Sequence, residues 1–209
     1  MERCANEQGA CDACAGGVSV TAVAIIPARG GSRRIPHKNI RDFHGKPIIA
    51  YSIDTAYKSG LFAEVIVSTE DDDIAGIAHV HGATVSWRKP ALAADDVGTQ
   101  EVMKNALLEF EGTEYDYACC IYATAPLMQV EDLHLGFARL KQSQAPYVYT
   151  VGPDYVDAGQ WYWGRVLDFL HGTPLDQAEL YVLPADRVCD INTPEDWARA
   201  ERMYKELHK

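Results

Sequence analysis

The chain has no long apolar run. No stretch of its 209 residues comes near the roughly 18 apolar residues that cross a bilayer, so a membrane span is not expected. Positive charge is also scarce. Nineteen Lys and Arg against 30 Asp and Glu leave a net charge of −11. That balance argues against non-specific binding to nucleic acid. Residues 1–20 carry Glu2, Arg3 and Asp12 but no apolar centre, so they do not read as a secretory signal. A cytoplasmic protein with no membrane or nucleic-acid partner is the expectation. Two common nucleotide motifs are missing as well. No G-x-x-x-x-G-K-[ST] is present, which argues against a P-loop NTPase. No G-x-G-x-x-G follows the first predicted strand, which argues against the usual dinucleotide fold. There is no internal repeat and no low-complexity linker.

Cysteines number six. Cys119 and Cys120 sit in an apolar strand and read as small core residues. Cys189 precedes an acidic motif. Cys4, Cys11 and Cys14 lie near the start, and Cys11 and Cys14 form a lone C-x-x-C. A zinc knuckle needs a second pair or a nearby histidine, and residues 1–20 supply neither. Residues 1–20 therefore read as a flexible leader and 21–209 as one domain. With 47% hydrophobic residues, a chain of this length can bury one sizeable core.

Against the acidic background stands one basic segment. An apolar run, Val23 to Ile26, stops at Pro27. A Gly30-Gly31 loop follows, with Arg29, Arg33, Arg34, Lys38 and Arg41 close together. Glycine lets backbone approach a ligand, N–H groups point at an anion, and Arg grips two oxygens at once. The segment suits a polyphosphate; a solvated basic turn is the plain alternative.

The rest of the chain alternates strand and helix. Strands are expected at Val23–Ile26, Val65–Ser68, Ala83–Trp87, Tyr117–Tyr122, Tyr147–Val151, Gln160–Trp163 and Leu180–Leu183. A first helix, with Pro47 at its first position, repeats Ile49, Ile53 and Ala56 and ends at Gly60. Asp71-Asp72-Asp73 opens a second, and Thr99 is the expected cap of a third. Leu133, Phe137 and Leu140 mark a fourth, and Thr193-Pro194 opens the last. This alternation predicts a single-domain α/β fold with a parallel-rich mixed sheet and helices on both faces. Ligands of such sheets sit at the carboxyl ends of the strands. The basic loop, the Arg88–Asp96 loop and the Thr124–Pro126 turn all follow strands and can share one cleft.

Ile25 to Ile40, with Cys120–Pro126, Asp157–Gly164 and Asp190–Trp197, resembles the cytidylyltransferases that activate sialic-type nine-carbon acids. The last three motifs lie nearer the branch acting on pseudaminic acid. The resemblance runs from about Val23 to the C-terminus and implies a nucleotide-diphospho-sugar transferase-like fold. It implies that CTP and a 2-keto sugar acid give CMP-sugar and pyrophosphate, with Mg²⁺ as cofactor. Arg29, Ser32, Arg33 and Lys38 match positions that hold the triphosphate, with Ala28, Gly30 and Gly31 supplying backbone and Asn39 nearby. Arg88, Ala94 and Asp95 fall in the cytosine-reading segment; a plain surface arginine is the alternative for Arg88. Tyr122, Thr124 and Gln160 fall beside the expected sugar. Arg29, Lys38 and Asp190 are the expected catalytic set.

Two departures stand out. The family's metal motif is Asp-x-Asp, whereas this chain has Asp190 and Asn192. An amide oxygen can ligate a hard cation but brings no charge. Second, only Gly152 to Val156 join two strands between which family members carry a longer arm that packs on a partner subunit. Five residues span at most about 18 Å, which weakens the implied homodimer. An N-acylneuraminate acceptor, another small-molecule nucleotidyltransferase and a non-catalytic nucleotide-binding protein remain as alternatives.

Overall fold

The computed structural model describes residues 21–94, 96–110 and 115–209. The leader with Cys4, Cys11 and Cys14, and Asp95 of the expected cytosine loop, lie outside the described residues. Seven strands form the main sheet: β1 (Ala22–Pro27), β4 (Glu64–Thr69), β5 (Thr84–Trp87), β6 (Tyr117–Ile121), β7 (Tyr147–Val151), β8 (Asp157–Arg165) and β9 (Glu179–Val182). Their order is β5-β4-β1-β6-β8-β7-β9. Every neighbouring pair is parallel except those of β8, which runs antiparallel to β6 and β7. The parallel-rich mixed sheet is thus as expected. A small hairpin, β2 (Asp42–Phe43) and β3 (Lys46–Pro47), stands apart from it.

Among the described residues there are six α-helices: α1 (Ile48–Ser59), α2 (Asp72–Val80), α3 (Thr99–Glu109), α4 (Val130–Gln142), α5 (Val166–His171) and, after the last strand, α6 (Pro194–Leu207). Period-two alternation sorts the strand side chains into two cores. Ala24, Ile26, Val65, Val67, Cys119 and Ile121 pack with Ile49 and Ile53 of α1, Ile74 of α2 and Leu133 of α4. Val23, Ile25, Ile66, Ala118 and Cys120 face the other way, toward Met103 and Leu107 of α3 and Phe169 of α5. Helices therefore cover both faces. The central strands β1, β4 and β6 are buried on both sides, which explains their apolar runs.

A third cluster fixes the basic segment. Ile35, Phe43, Ile48, Ile191 and Trp197 pack together, so α6 clamps the segment after β1 against the hairpin. Thr193 caps α6 by accepting from the Asp196 N–H, and the Asp196 carboxylate accepts back from the Thr193 N–H. Arg41, grouped with the basic residues by sequence, is turned away here, its guanidinium 4.9 Å from the Trp197 ring centroid.

Some local expectations change. Thr99 is the first helical residue rather than a side-chain cap; its hydroxyl accepts from Tyr162 Oη at 3.0 Å, and Gly98 takes the cap position. Pro47 precedes α1 instead of opening it. Helix α5 was not expected at all: six residues are too few to establish a helical period.

The chain crosses from β5 back to β6, which lies on the other side of β1. The sheet reverses its winding there, so the crevice at the carboxyl ends of β1 and β6 is where a doubly wound sheet takes its ligand.

Candidate active site

A cleft of about 620 Å³ opens at that crevice. The basic loop contributes Arg29, Ser32, Arg33, Arg34, Lys38 and Asn39. Tyr122, Ala123 and Thr124 come from the end of β6. Arg88, Leu92 and Ala94 come from the loop after β5, and Asp190 and Asn192 from the segment before α6. Elements far apart in sequence thus converge as the strand-end rule requires.

Hydrogen bonds hold the basic loop in shape. Asn39 is buried and its Nδ2 donates to the Arg29 carbonyl at 2.9 Å. The Ala28 N–H donates to the Ser68 carbonyl at 2.9 Å, tying the loop to β4. Lys38 Nζ donates to the Ile191 carbonyl at 2.7 Å. Burial lowers the Lys38 pKa, nearby Asp190 opposes the shift, and Arg34 and Arg29 reinforce it. Arg29 Nη1 reaches the Ala93 carbonyl at 3.4 Å, joining this loop to the one after β5.

The two glycines do not both offer an open backbone. The Gly30 N–H donates to Glu70 Oε1 at 2.8 Å. A Cβ on Gly30 would lie 2.9 Å from the Asp71 Cβ, so only glycine fits. Nothing stands within 4 Å of a Cβ built on Gly31. Ala28, Gly30, Gly31 and Gln160 are absent from the cleft lining. Gln160 is buried, and its Nε2 donates to the Arg187 carbonyl at 2.6 Å. Its place is behind the cleft because β8 turns this side chain toward the segment leading to Asp190.

Arg88 is not a surface arginine. It is 8% exposed, and its Nη2 donates to the Ser68 carbonyl at 2.7 Å. Burial lowers its pKa while the Glu70 carboxylate opposes the shift. Tyr122 Oη donates to Asp157 Oδ2 at 3.1 Å. Burial, then Asp157, pushes the Tyr122 phenol far above its ordinary value, so it stays a neutral donor.

Among the described residues, Asp190 is the one carboxylate in the cleft lining. Burial first, then repulsion from Asp157, raises its pKa above the ordinary 3.8. Gly159 makes the close approach feasible: its φ is +66°, and a Cβ there would lie 2.8 Å from Asp190 Oδ1. Asn192 Nδ2 donates to Asp190 Oδ2. These are hard oxygen donors of the kind Mg²⁺ takes. Among the described residues, no three His, Cys, Asp or Glu gather to hold a metal unaided. A divalent ion therefore fits here only with substrate phosphates completing its shell.

Sequence reasoning placed none of Asp157, Glu70, Val97, Thr99 and Val102 at the site; Thr99 was expected only as a helix cap. An acid directly after a buried strand, as Glu70 is, was the available signal for one of them. The apolar lining from Val97 and Val102 carries no sequence signature.

The sequence model of the Cytidylyltransferase family matches residues 23–168. The chain belongs to the cytidylyltransferase family. A pseudaminic acid cytidylyltransferase of Campylobacter jejuni is 33% identical over 226 residues, covering 90% of this chain and 97% of that protein. The aligned length exceeds the 209 residues present here, so that relative carries insertions this chain lacks. An Escherichia coli N-acylneuraminate cytidylyltransferase is 36% identical over 104 residues, half of this chain and 24% of that one. Among solved structures, a CMP:2-keto-3-deoxy-manno-octonic acid synthetase complexed with CTP superposes with a TM-score of 0.69 at 17% identity. The match covers 90% of this chain and 99% of that one. A Mycobacterium tuberculosis protein solved with manganese gives 0.63 at 14% identity, covering 88% and 98%. At these identities the two structures show a shared fold alone. No helix among the described residues is long and apolar enough to cross a membrane.

Proposed function

We propose that this cytidylyltransferase activates pseudaminic acid or a close nine-carbon 2-keto acid with CTP, releasing pyrophosphate. The observation that carries the reading is the cleft itself: Arg29, Arg33, Arg34, Lys38 and Arg88 converge there in a chain of net charge −11. Such a concentration suits a triphosphate. The near-full-length pseudaminic relative supports the acceptor.

The anomeric hydroxyl of the acid attacks the α-phosphorus in line. Its oxygen forms the new P–O bond as the bond to the bridging oxygen breaks. The electron pair leaves on pyrophosphate, and the hydroxyl proton passes to water or a base. The protein's share is placement and charge. Arg29, Ser32, Arg33 and Lys38 hold the triphosphate, and the Asn39 bond keeps their loop rigid. Arg88 and Ala94 frame the base. Tyr122 and Thr124 border the acceptor. Asp190, with Asn192 beside it, would hold Mg²⁺, which when bound draws charge from the phosphate oxygens. Gln160 supports the Asp190 segment from behind. The enzyme is cytoplasmic in this reading, and any homodimer forms through a surface other than a β7–β8 arm.

The test is pyrophosphate release with CTP, Mg²⁺ and either pseudaminic or N-acetylneuraminic acid, with ATP, GTP and UTP as controls. Release with CTP and pseudaminic acid is expected. Release with N-acetylneuraminic acid alone would reassign the acceptor. A CTP-induced rise in melting temperature without release from either acid would indicate a non-catalytic nucleotide-binding protein.

A further inference from the structure

The segment that carries Asp190 has no strand ladder to hold it. Among the described residues, none of the Cys189, Asp190 and Ile191 N–H groups enters a backbone–backbone hydrogen bond. Side chains at its two ends set its place instead. Downstream, Lys38 Nζ holds the Ile191 carbonyl, and the Asp196 carboxylate accepts from the Asn192 N–H at 3.1 Å. Upstream the hold falls on Arg187. Its carbonyl accepts from Gln160 Nε2 at 2.6 Å. Its guanidinium pairs with Asp132 of α4 through Nη1 to Oδ2, and through Nη2 to Oδ1 at 3.4 Å. Tyr181 Oη of β9 donates to the same Oδ1 at 3.1 Å, so both carboxylate oxygens are spent. The Asp132 and Arg187 side chains are only 5% and 19% exposed. An acid in the first turn of a helix suits the helix dipole, but an exposed carboxylate would serve that purpose equally well. A buried ion pair also adds little net stability over apolar packing, because both charges are desolvated. What a planar guanidinium against a carboxylate does supply is a fixed direction.

We propose that Asp132 and Arg187 are a positioning pair: from the start of α4 they fix the chain that leads into Asp190, and so set how well its carboxylate meets a divalent ion. This deepens the cytidylyltransferase reading and rests on it. Neither residue lines the cleft, so the pair acts through the segment and not by touching CTP.

Mn²⁺ uptake by the CTP-saturated full chain, read by electron paramagnetic resonance, tests this without turnover. Arg187→Met keeps the reach of the side chain and removes its charge. It should raise the Mn²⁺ dissociation constant about tenfold, the low end for a partner behind a metal ligand. Calorimetric CTP affinity in EDTA should stay as it was. Asp132→Asn and Arg187→Lys perturb the fold less and should give smaller losses of the same kind. Arg165→Met is the control. Arg165 donates to the Ala145 and Ser143 carbonyls at 2.8 and 3.0 Å, at the opposite rim of the sheet beside Tyr117. Its loss should leave Mn²⁺ affinity unchanged, whatever it costs in stability. Excess Mn²⁺ should restore pyrophosphate release by Arg187→Met. Unchanged Mn²⁺ affinity in the three pair variants, an equal loss in Arg165→Met, or a loss of release that excess Mn²⁺ does not restore would overturn the inference alone. So would an unaltered chain that binds CTP but takes up no Mn²⁺. Failure of the unaltered chain to bind CTP at all would overturn the cytidylyltransferase reading with it.

Discussion

In the proposed reaction Asp190 would hold the divalent ion, so its environment would set a condition for activity. Its raised pKa means that protonation begins at a higher pH than for an ordinary aspartate. Divalent-ion affinity should therefore fall on acidification with a midpoint above 3.8. Asp157→Asn removes the facing charge and should move that midpoint down; Lys38 on the opposite side and Asp196 nearby are unchanged in that variant. Mn²⁺ binding against pH, in the presence of CTP, measures both midpoints. Arg88 sets a different condition. Because it is buried and bonded to Ser68, Arg88→Ala should cost about 1.5–3 kcal/mol of stability and also weaken the preference for CTP over UTP. Urea unfolding and competition between the two nucleotides would separate these effects. Stability unchanged by the substitution would mean that the Ser68 contact carries no folding energy.

At the scale of elements, the strands were readable because each is a short apolar run flanked by turn residues. Helices α1, α2, α4 and α6 were readable from their spacing and caps. The boundaries and extras that escaped have physical causes. Thr99 fits a capping position by type, yet Tyr162, 63 residues away, claims its hydroxyl. Arg88 has a surface residue's composition, and only the return of β5 beside β4 buries it. The cleft was legible from its cations but not from its carboxylate environment. Asp157 and Asp190 meet only because β8 and the segment before α6 are brought together across Gly159. Tight packing between elements is testable at Gly136. A Cβ there would lie 2.6 Å from the Trp161 ring carbon Cζ3. Gly136→Ala should therefore cost about 1–3 kcal/mol, because the ring is fully buried and α4 would have to shift. Thr193→Ala should cost about 1 kcal/mol through the lost cap, and should also loosen the adjacent Asp190–Asn192 segment. A drop in Mn²⁺ affinity larger than the drop in stability would show the second effect.

Over the whole molecule, a field of one sign surrounds a mouth of the other. Net charge −11 repels CTP at long range, whereas the cleft cations attract it nearby. At physiological ionic strength the screening length is about 8 Å, short enough to suppress distant repulsion while leaving contacts within the cleft largely intact. The value of kcat/KM for CTP should therefore fall only gently between low and physiological salt, as the two contributions partly cancel. Stopped-flow measurements across that range would show it, and a steep fall would mean that the local cations dominate even at distance.

The reversed strand β8 has a consequence for how such an enzyme can change. Both ends of the Gly152–Val156 turn lie at the carboxyl-end rim, where the Gly152 N–H donates to the Val156 carbonyl at 2.8 Å. The two strands it joins are held by their own ladder. Residues added at this turn would extend outward from the rim and leave the other strand registers in place. The fold thus has an insertion point at its rim, where a longer turn would reshape the surroundings of the strand ends without moving the loop that carries the cations.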